Sequence, residues 1–261
     1  MSASESQQRG CLFVATGKDA FLREAIYNAR QVSKYMPGLP IALCTELTTE
    51  RPKPFSTLIH LEDGTANAHK LKARSLLLSP FEQTLFLDTD AFVQAPLWEL
   101  FSLLEEADIC IAKDCDVDWN QSWELKSLSG GAHYNTGVFA YRRSPACEAF
   151  LKLLQDLICE HDDADMWAGH FGDQHFFNHI LESGRPEATA LRLTPIPNTV
   201  YNVRPWMEDE MRRQGLLGQA KILHMRTAMT GPLTAKKCLP RLKTKLALRT
   251  RLKRLLGRGP A

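Results

Sequence analysis

A chain of 261 residues with 44% hydrophobic and 24% charged side chains can bury a full core, which excludes a collagenous, coiled-coil or wholly disordered protein. No run of 18 or more apolar residues occurs, so no membrane-spanning helix is expected. The net charge of +2 hides a split. From Lys236 onward there are ten basic residues and no acid, and setting those ten aside takes the charge from +2 to −8 for the rest.

The chain opens on a polar stretch, Met1 to Gly10, without the basic-then-apolar layout of a secretory signal, so the expected location is cytoplasmic. Cys11 to Thr16 is an apolar, β-favouring run that predicts a buried first strand ending at Gly17. A helix capped by Asp19 follows, with Leu22, Ala25, Ile26, Ala29 and Val32 at helical spacing, and Pro37-Gly38 stops it. Strands are expected at Ile41–Cys44 and Thr57–Leu61, a cationic helix at about Ala68–Leu78, and a strand at Thr84–Leu87. Beyond it, Asp108–Ala112 and Asn135–Tyr141 read as strands flanking an irregular loop at Trp119–Ala132. Helices follow at Pro145–Cys159 and from about Asp173 to Leu181, then late strands at Leu191–Ile196 and Lys221–His224. Strands alternating with helices predict an α/β domain with a mostly parallel sheet covered on both faces. The cysteines (Cys11, Cys44, Cys110, Cys115, Cys147, Cys159 and Cys238) are scattered without a Cys-x-x-Cys, and fit buried thiols better than a disulfide framework or zinc site.

The chemistry concentrates in LFLDTDAFV. Asp88 and Asp90 stand two residues apart where an apolar strand ends, so both carboxylates can face one cation. Open α/β sheets bind ligands outside the carboxyl ends of their strands. Hard oxygen ligands suit Mg²⁺ or Mn²⁺, which neutralise the charge of a departing diphosphate. A solvated acidic turn is the competing reading.

The companions of this motif, in their order along the chain, resemble the metal-dependent glycosyltransferases of the GT-A fold, the glycogenin and bacterial lipooligosaccharide galactosyltransferase group in particular. LFVATG resembles the nucleotide-contacting first strand, which implies that Ala15, Thr16 and Gly17 lie beside the base and ribose. KLKARSLLLSPFEQTLFLDTDAFV resembles the helix–strand–Asp-x-Asp segment; it implies donor contacts by Thr89 and by one basic residue, with Lys70, Lys72 and Arg74 competing. YNTGVFAYR implies sugar contacts by Asn135, GDQHFFNHIL a transferred-sugar site at Asp173 and Gln174, and TVYNVRP a substrate contact by Asn202. KILHMR resembles the late strand whose histidine is a third metal ligand, which nominates His224 beside Asp88 and Asp90. The family's Lys-Pro-Trp after that histidine is absent, so its diphosphate lysine is missing and Arg226 or a tail lysine is the expected substitute.

The resemblance implies a GT-A domain over residues 11–230, between the polar extension 1–10 and a basic tail 231–261. It further implies transfer of a hexose from a UDP-sugar or other nucleotide sugar to a saccharide or lipid-linked acceptor, with retention, and no nucleic-acid partner. Each residue also has a plainer reading. His224 can be a structural histidine, Asp173 a helix cap, and Asn135 a group satisfying backbone beside Gly137. The cluster His161, Asp162, Asp163 and Asp165 reads as a solvated loop, Asp114, Asp116 and Asp118 as a polar turn, and His170, His175 and His179 lack a zinc pattern. As a helix the tail would be basic and amphipathic, suited to an anionic membrane face. Two other functions stay open: an aspartyl-phosphate phosphatase with Asp88 as nucleophile and Asp90 as acid/base, and a silent nucleotide-binding protein of the same fold.

Overall fold

The computed structural model describes residues 7–62, 67–114, 133–161 and 172–224. The Trp119–Ala132 loop, Asp116, Asp118, Asp162, Asp163, Asp165, His170, Arg226 and the basic tail lie outside the described residues.

Seven strands form one sheet: β1 (Gln7–Val14), β2 (Ile41–Thr45), β3 (Thr57–His60), β4 (Phe81–Leu87), β6 (Ile109–Lys113), β7 (Tyr134–Arg142) and β8 (Leu193–Ile196). Their order is β3-β2-β1-β4-β7-β6-β8. Every neighbouring pair is parallel except those made by β7, which runs antiparallel to both β4 and β6. The expected mostly parallel α/β sheet is therefore present, with one reversed strand. That reversal places the start of β7 beside the end of β4: Leu87 pairs with Val138, and the Asp88 amide donates to the Gly137 carbonyl at 2.7 Å. A two-stranded ribbon, β5 (Phe92–Val93) and β9 (Ile222–Leu223), lies apart from the sheet and pairs Phe92 with Leu223.

Alternation along the strands splits the core into two layers. Cys11, Phe13, Leu43, Leu85 and Ala140 pack under α1 (Asp19–Tyr35) and α3 (Trp98–Leu103). Leu12, Cys44, Phe86, Ile111 and Phe139 pack under α2 (Ala68–Leu77), α4 (Pro145–Glu160) and α5 (Asp173–Glu182). Cys11, Cys44, Cys110 and Cys147 are buried free thiols serving as small apolar fillers, and burial pushes Cys44 up to about 12. Among the described residues no helix is long and apolar enough to cross a membrane.

Several boundaries differ from expectation. β1 begins at Gln7 rather than Cys11 and β4 at Phe81 rather than Thr84, because backbone pairing of Gln7 with Phe81 and Arg9 with Gln83 needs no apolar side chain. Arg9 adds a hydrogen bond to the Gln83 amide oxygen. Asp19 does not cap α1: the cap is Lys18, with no side-chain hydrogen bond, and Asp19 is the first helical residue, where its charge still favours the helix dipole. Nor does Asp173 cap α5, whose cap is Gly172.

Asp108 fastens the far side of the sheet. Its side chain, 3% exposed, accepts from the Arg192 backbone amide at 3.0 Å, the Ser144 hydroxyl at 2.8 Å and the Arg142 and Arg192 guanidiniums. Burial opposes its charge, yet these donors outweigh burial and hold the carboxyl below its usual range. Asp108→Asn should lower the unfolding free energy at pH 7 by about 2–3 kcal/mol in urea titrations, the cost of leaving partly buried guanidiniums unpaired. A depressed carboxyl contributes its stability above the unfolded value and loses it as pH falls through the folded one, so the gap between the two proteins should close below about pH 4. A variant as stable as the parent at pH 7 would contradict this.

Candidate active site

The carboxyl edge of the sheet gathers groups from several segments distant in sequence. Asp88 and Asp90 leave the end of β4, and the turn between them is braced from α1. The Thr89 hydroxyl donates to Glu24 at 3.2 Å, and the Asn28 amide donates to the Thr89 carbonyl. The Thr89 side chain is thereby engaged with α1. Glu24 and Asn28 are buried polar residues on the inward face of an amphipathic helix, a signal present in the sequence that the periodicity argument passed over.

His224 follows β9 and is 4% exposed. The pairing of β9 with β5 delivers it to the Asp-x-Asp turn, since β5 begins two residues after Asp90. Its Nδ1 donates to Asn202 Oδ1 at 2.6 Å, which turns Nε2 toward Asp90 Oδ1 at 3.3 Å and Asp88 Oδ2 at 3.7 Å. Ligand atoms of Asp88, Asp90 and His224 all lie within 4.8 Å of one another, the one such group of three among the described residues. An imidazole whose far nitrogen is fixed by a hydrogen bond presents its other lone pair as a ligand, so the donor set and its outer partner fit a divalent cation. Burial alone would raise the Asp90 carboxyl; the charges of His224 and Arg204 overcome it and hold the group low.

Lys72, from α2, enters between this group and the start of α5. Its Nζ lies 2.9 Å from Asp88 Oδ1, 2.8 Å from Asp173 Oδ2 and 3.1 Å from the Thr136 carbonyl. Of the three competing cations, Lys72 is seen against Asp88 and Asp173. Burial works to discharge it, but the Asp173 and Asp88 carboxylates prevail and push it above the usual lysine range. The opposite holds at Asp173, where the Lys72 charge and the His69 hydrogen bond overcome burial and hold the carboxyl far down. Asp173 also accepts from Thr136 at 2.6 Å and faces His69 Nδ1 at 2.7 Å.

Gln174 is clamped on both sides: its Oε1 accepts from Asn135 at 2.7 Å and its Nε2 donates to Asp114 at 3.0 Å. Asn135 Oδ1 accepts from the Gly137 amide at 3.1 Å, as its plainer reading expects. A cavity of about 360 Å³ opens beside Gln174, with His133, His175, Asn178 and His179 on its walls. Ala15, Thr16 and Gly17 stand at the end of β1, which adjoins β4, and Gly17 has φ +79° and its amide donates to Glu46 Oε1. His69, Thr136 and Arg204 joined the site without a sequence signal of their own, and Asp114, read as part of a polar turn, accepts from Gln174.

No protein-family model and no curated protein matches the sequence. Solved structures do match. The glycosyltransferase GlyE of Streptococcus pneumoniae TIGR4 aligns at 18% identity over 84% of this chain and 54% of its own, with a TM-score of 0.57. The chain thus spans about half the length of that protein. A glycosyltransferase involved in glycosylating the major capsid of PBCV-1 aligns at 15% identity over 88% and 96%, TM-score 0.52. The galactosyltransferase LgtC, solved with donor and acceptor sugar analogs, aligns at 13% identity over 82% and 86%, TM-score 0.51. At these identities the likeness is one of architecture: the chain has the GT-A glycosyltransferase fold.

Gly137 shows how little room the site leaves. A Cβ there would stand 2.1 Å from His224 Cε1 and 2.7 Å from Asp88 Oδ2. Gly137→Ala should weaken binding of a divalent probe, Mn²⁺, at least about tenfold in calorimetry while the far-ultraviolet circular dichroism is kept, because the methyl drives two of three ligands apart. Unchanged Mn²⁺ affinity would contradict this placement of His224.

Proposed function

We propose that this protein is a metal-dependent glycosyltransferase that moves a hexosyl group from a UDP-sugar to a hydroxyl of a saccharide or lipid-linked acceptor. The observation that carries the proposal is the convergence of Asp88, Asp90 and His224 at the carboxyl edge of a GT-A sheet, joined through Lys72 to Asp173 and Gln174. Two carboxylates and one imidazole suit Mn²⁺ better than Mg²⁺, which favours oxygen alone. When bound, that cation would offset the negative charge that builds on the departing diphosphate.

The remaining work falls to side chains. Ala15, Thr16 and Gly17 lie at the strand end nearest Asp88, where a nucleoside can lie along the sheet edge. Asn202 holds the His224 ring, Lys72 bonds Asp88, and the Lys72 charge together with the His69 hydrogen bond holds the Asp173 carboxyl well below its usual range. Asp173 is held by Lys72, Thr136 and His69, which leaves it an anchored charge rather than a mobile nucleophile. The acceptor hydroxyl then attacks on the face from which the diphosphate leaves, past the Gln174 amide, and the configuration is retained. The cavity beside Gln174 gives an acceptor sugar a place to approach. An aspartyl-phosphate phosphatase would need a later acidic pair beside Asp88, and His224 is what the described residues bring there instead.

A panel of nucleotide sugars, read by release of nucleoside diphosphate, tests this. Turnover should require Mn²⁺ or Mg²⁺, disappear in chelator, and fall at least about a hundredfold in Asp90→Asn. Full activity in chelator, or a preference for simple phosphate esters over nucleotide sugars, would overturn the reading.

A further inference from the structure

Among the described residues Lys72 is already engaged by Asp88 and Asp173. We propose that Arg204 binds the terminal phosphate of the nucleoside diphosphate through its guanidinium. The inference rests on the nucleotide-sugar reading above.

Backbone geometry places Arg204 beside the metal group. The Val203 amide donates to Ile222 at 3.1 Å and the Val203 carbonyl accepts from the His224 amide at 2.8 Å, so residues 202–204 run alongside the segment that carries His224. Asn202, which orients the His224 ring, and Arg204 are two residues apart in this stretch. The Arg204 side chain is 14% exposed. Its guanidinium lies over the Trp206 ring at 4.8 Å, and Nη1 stands 3.9 Å from Asp114 Oδ1, an ion pair too long for a hydrogen bond.

The hydrogen-bonding ledger nearby is incomplete. Arg204 Nε and Asn202 Nδ2 are buried donors with no hydrogen-bond partner among the described residues. Unmet buried donors are costly and uncommon, and two of them flanking one histidine call for an oxygen-rich ligand. A phosphate meets that need, and the planar guanidinium fork matches two phosphate oxygens at once. Asp114 links the cation to the sugar side, because its other oxygen accepts from Gln174. Arg204 therefore stands two residues from the side chain that orients His224 and reaches the Gln174 amide through Asp114, the region where the bond between phosphate and sugar would lie.

Calorimetry of the full chain with UDP, UMP and uridine in the presence of Mn²⁺ isolates the terminal phosphate. Arg204→Gln should weaken UDP binding about tenfold to a hundredfold while changing UMP and uridine less than about twofold. Arg204→Lys, which keeps the charge and loses the fork, should recover part of the UDP affinity and carries the same comparison if the glutamine variant does not fold. UDP affinity equal to the parent's, or equal losses for UDP and UMP, would overturn the role of Arg204 alone. A parent protein that binds no UDP with Mn²⁺ would instead overturn the nucleotide-sugar reading, and this inference with it.

Discussion

Lys72 brings a full positive charge into a cleft where only 13% of its side chain meets solvent, and two carboxylates from well-separated parts of the chain close on it. Asp88 comes from the end of β4 and Asp173 from the first turn of α5, and the ammonium between them offsets the repulsion of two acidic groups brought so near each other. The same cation therefore fixes the distance between the proposed metal side and the proposed sugar side. Thr136 and His69 complete the arrangement around Asp173, and Asn135 and Asp114 do the same around Gln174. Such a network holds reacting groups in place before a substrate arrives, which is where enzymes gain most from fixed charges.

Topology makes the network reachable. A wholly parallel sheet would carry residues 134–137 to the wrong edge; the reversal of β7 brings Asn135, Thr136 and Gly137 beside Asp88. Gly137 then lets the His224 ring lie against the strand where any Cβ would collide with it. The β5–β9 ribbon, only two residues per strand, carries His224 across from a distant part of the chain. Orientation of that histidine by Asn202 is the outer-layer support that metal-binding imidazoles need.

Much of this was legible in the sequence where long periodic signals exist. The apolar runs before Thr16 and Asp88 and the 3.6-residue spacing of α1 predicted strands and a helix there, whereas the grouping of the Asp-x-Asp, Asn-x-Gly, Asp-Gln and late histidine segments is what the family resemblance implied. Three kinds of feature were not legible. β5 and β9, at two residues each, and the short helical turns at Pro186–Thr189 and Asn198–Tyr201 are too brief for a period to show. The choice among Lys70, Lys72 and Arg74 depends on how α2 is rotated against the sheet, which spacing alone leaves undetermined. His69 contacts Asp173, 104 positions later, and Arg204 contacts Asp114, 90 positions earlier, and single-residue polar contacts across such separations leave no local pattern.

The central claim is that Asp88, Asp90 and His224 hold one divalent cation against a nucleoside diphosphate. Pulsed electron paramagnetic resonance on Mn²⁺ bound to the protein with UDP addresses it directly, since the ion reports its own neighbours. The account predicts a directly coordinated imidazole nitrogen and phosphorus couplings in the parent, with the nitrogen coupling lost in His224→Ala. A nitrogen coupling that survives His224→Ala, or a parent spectrum with neither nitrogen nor phosphorus coupling, would contradict it.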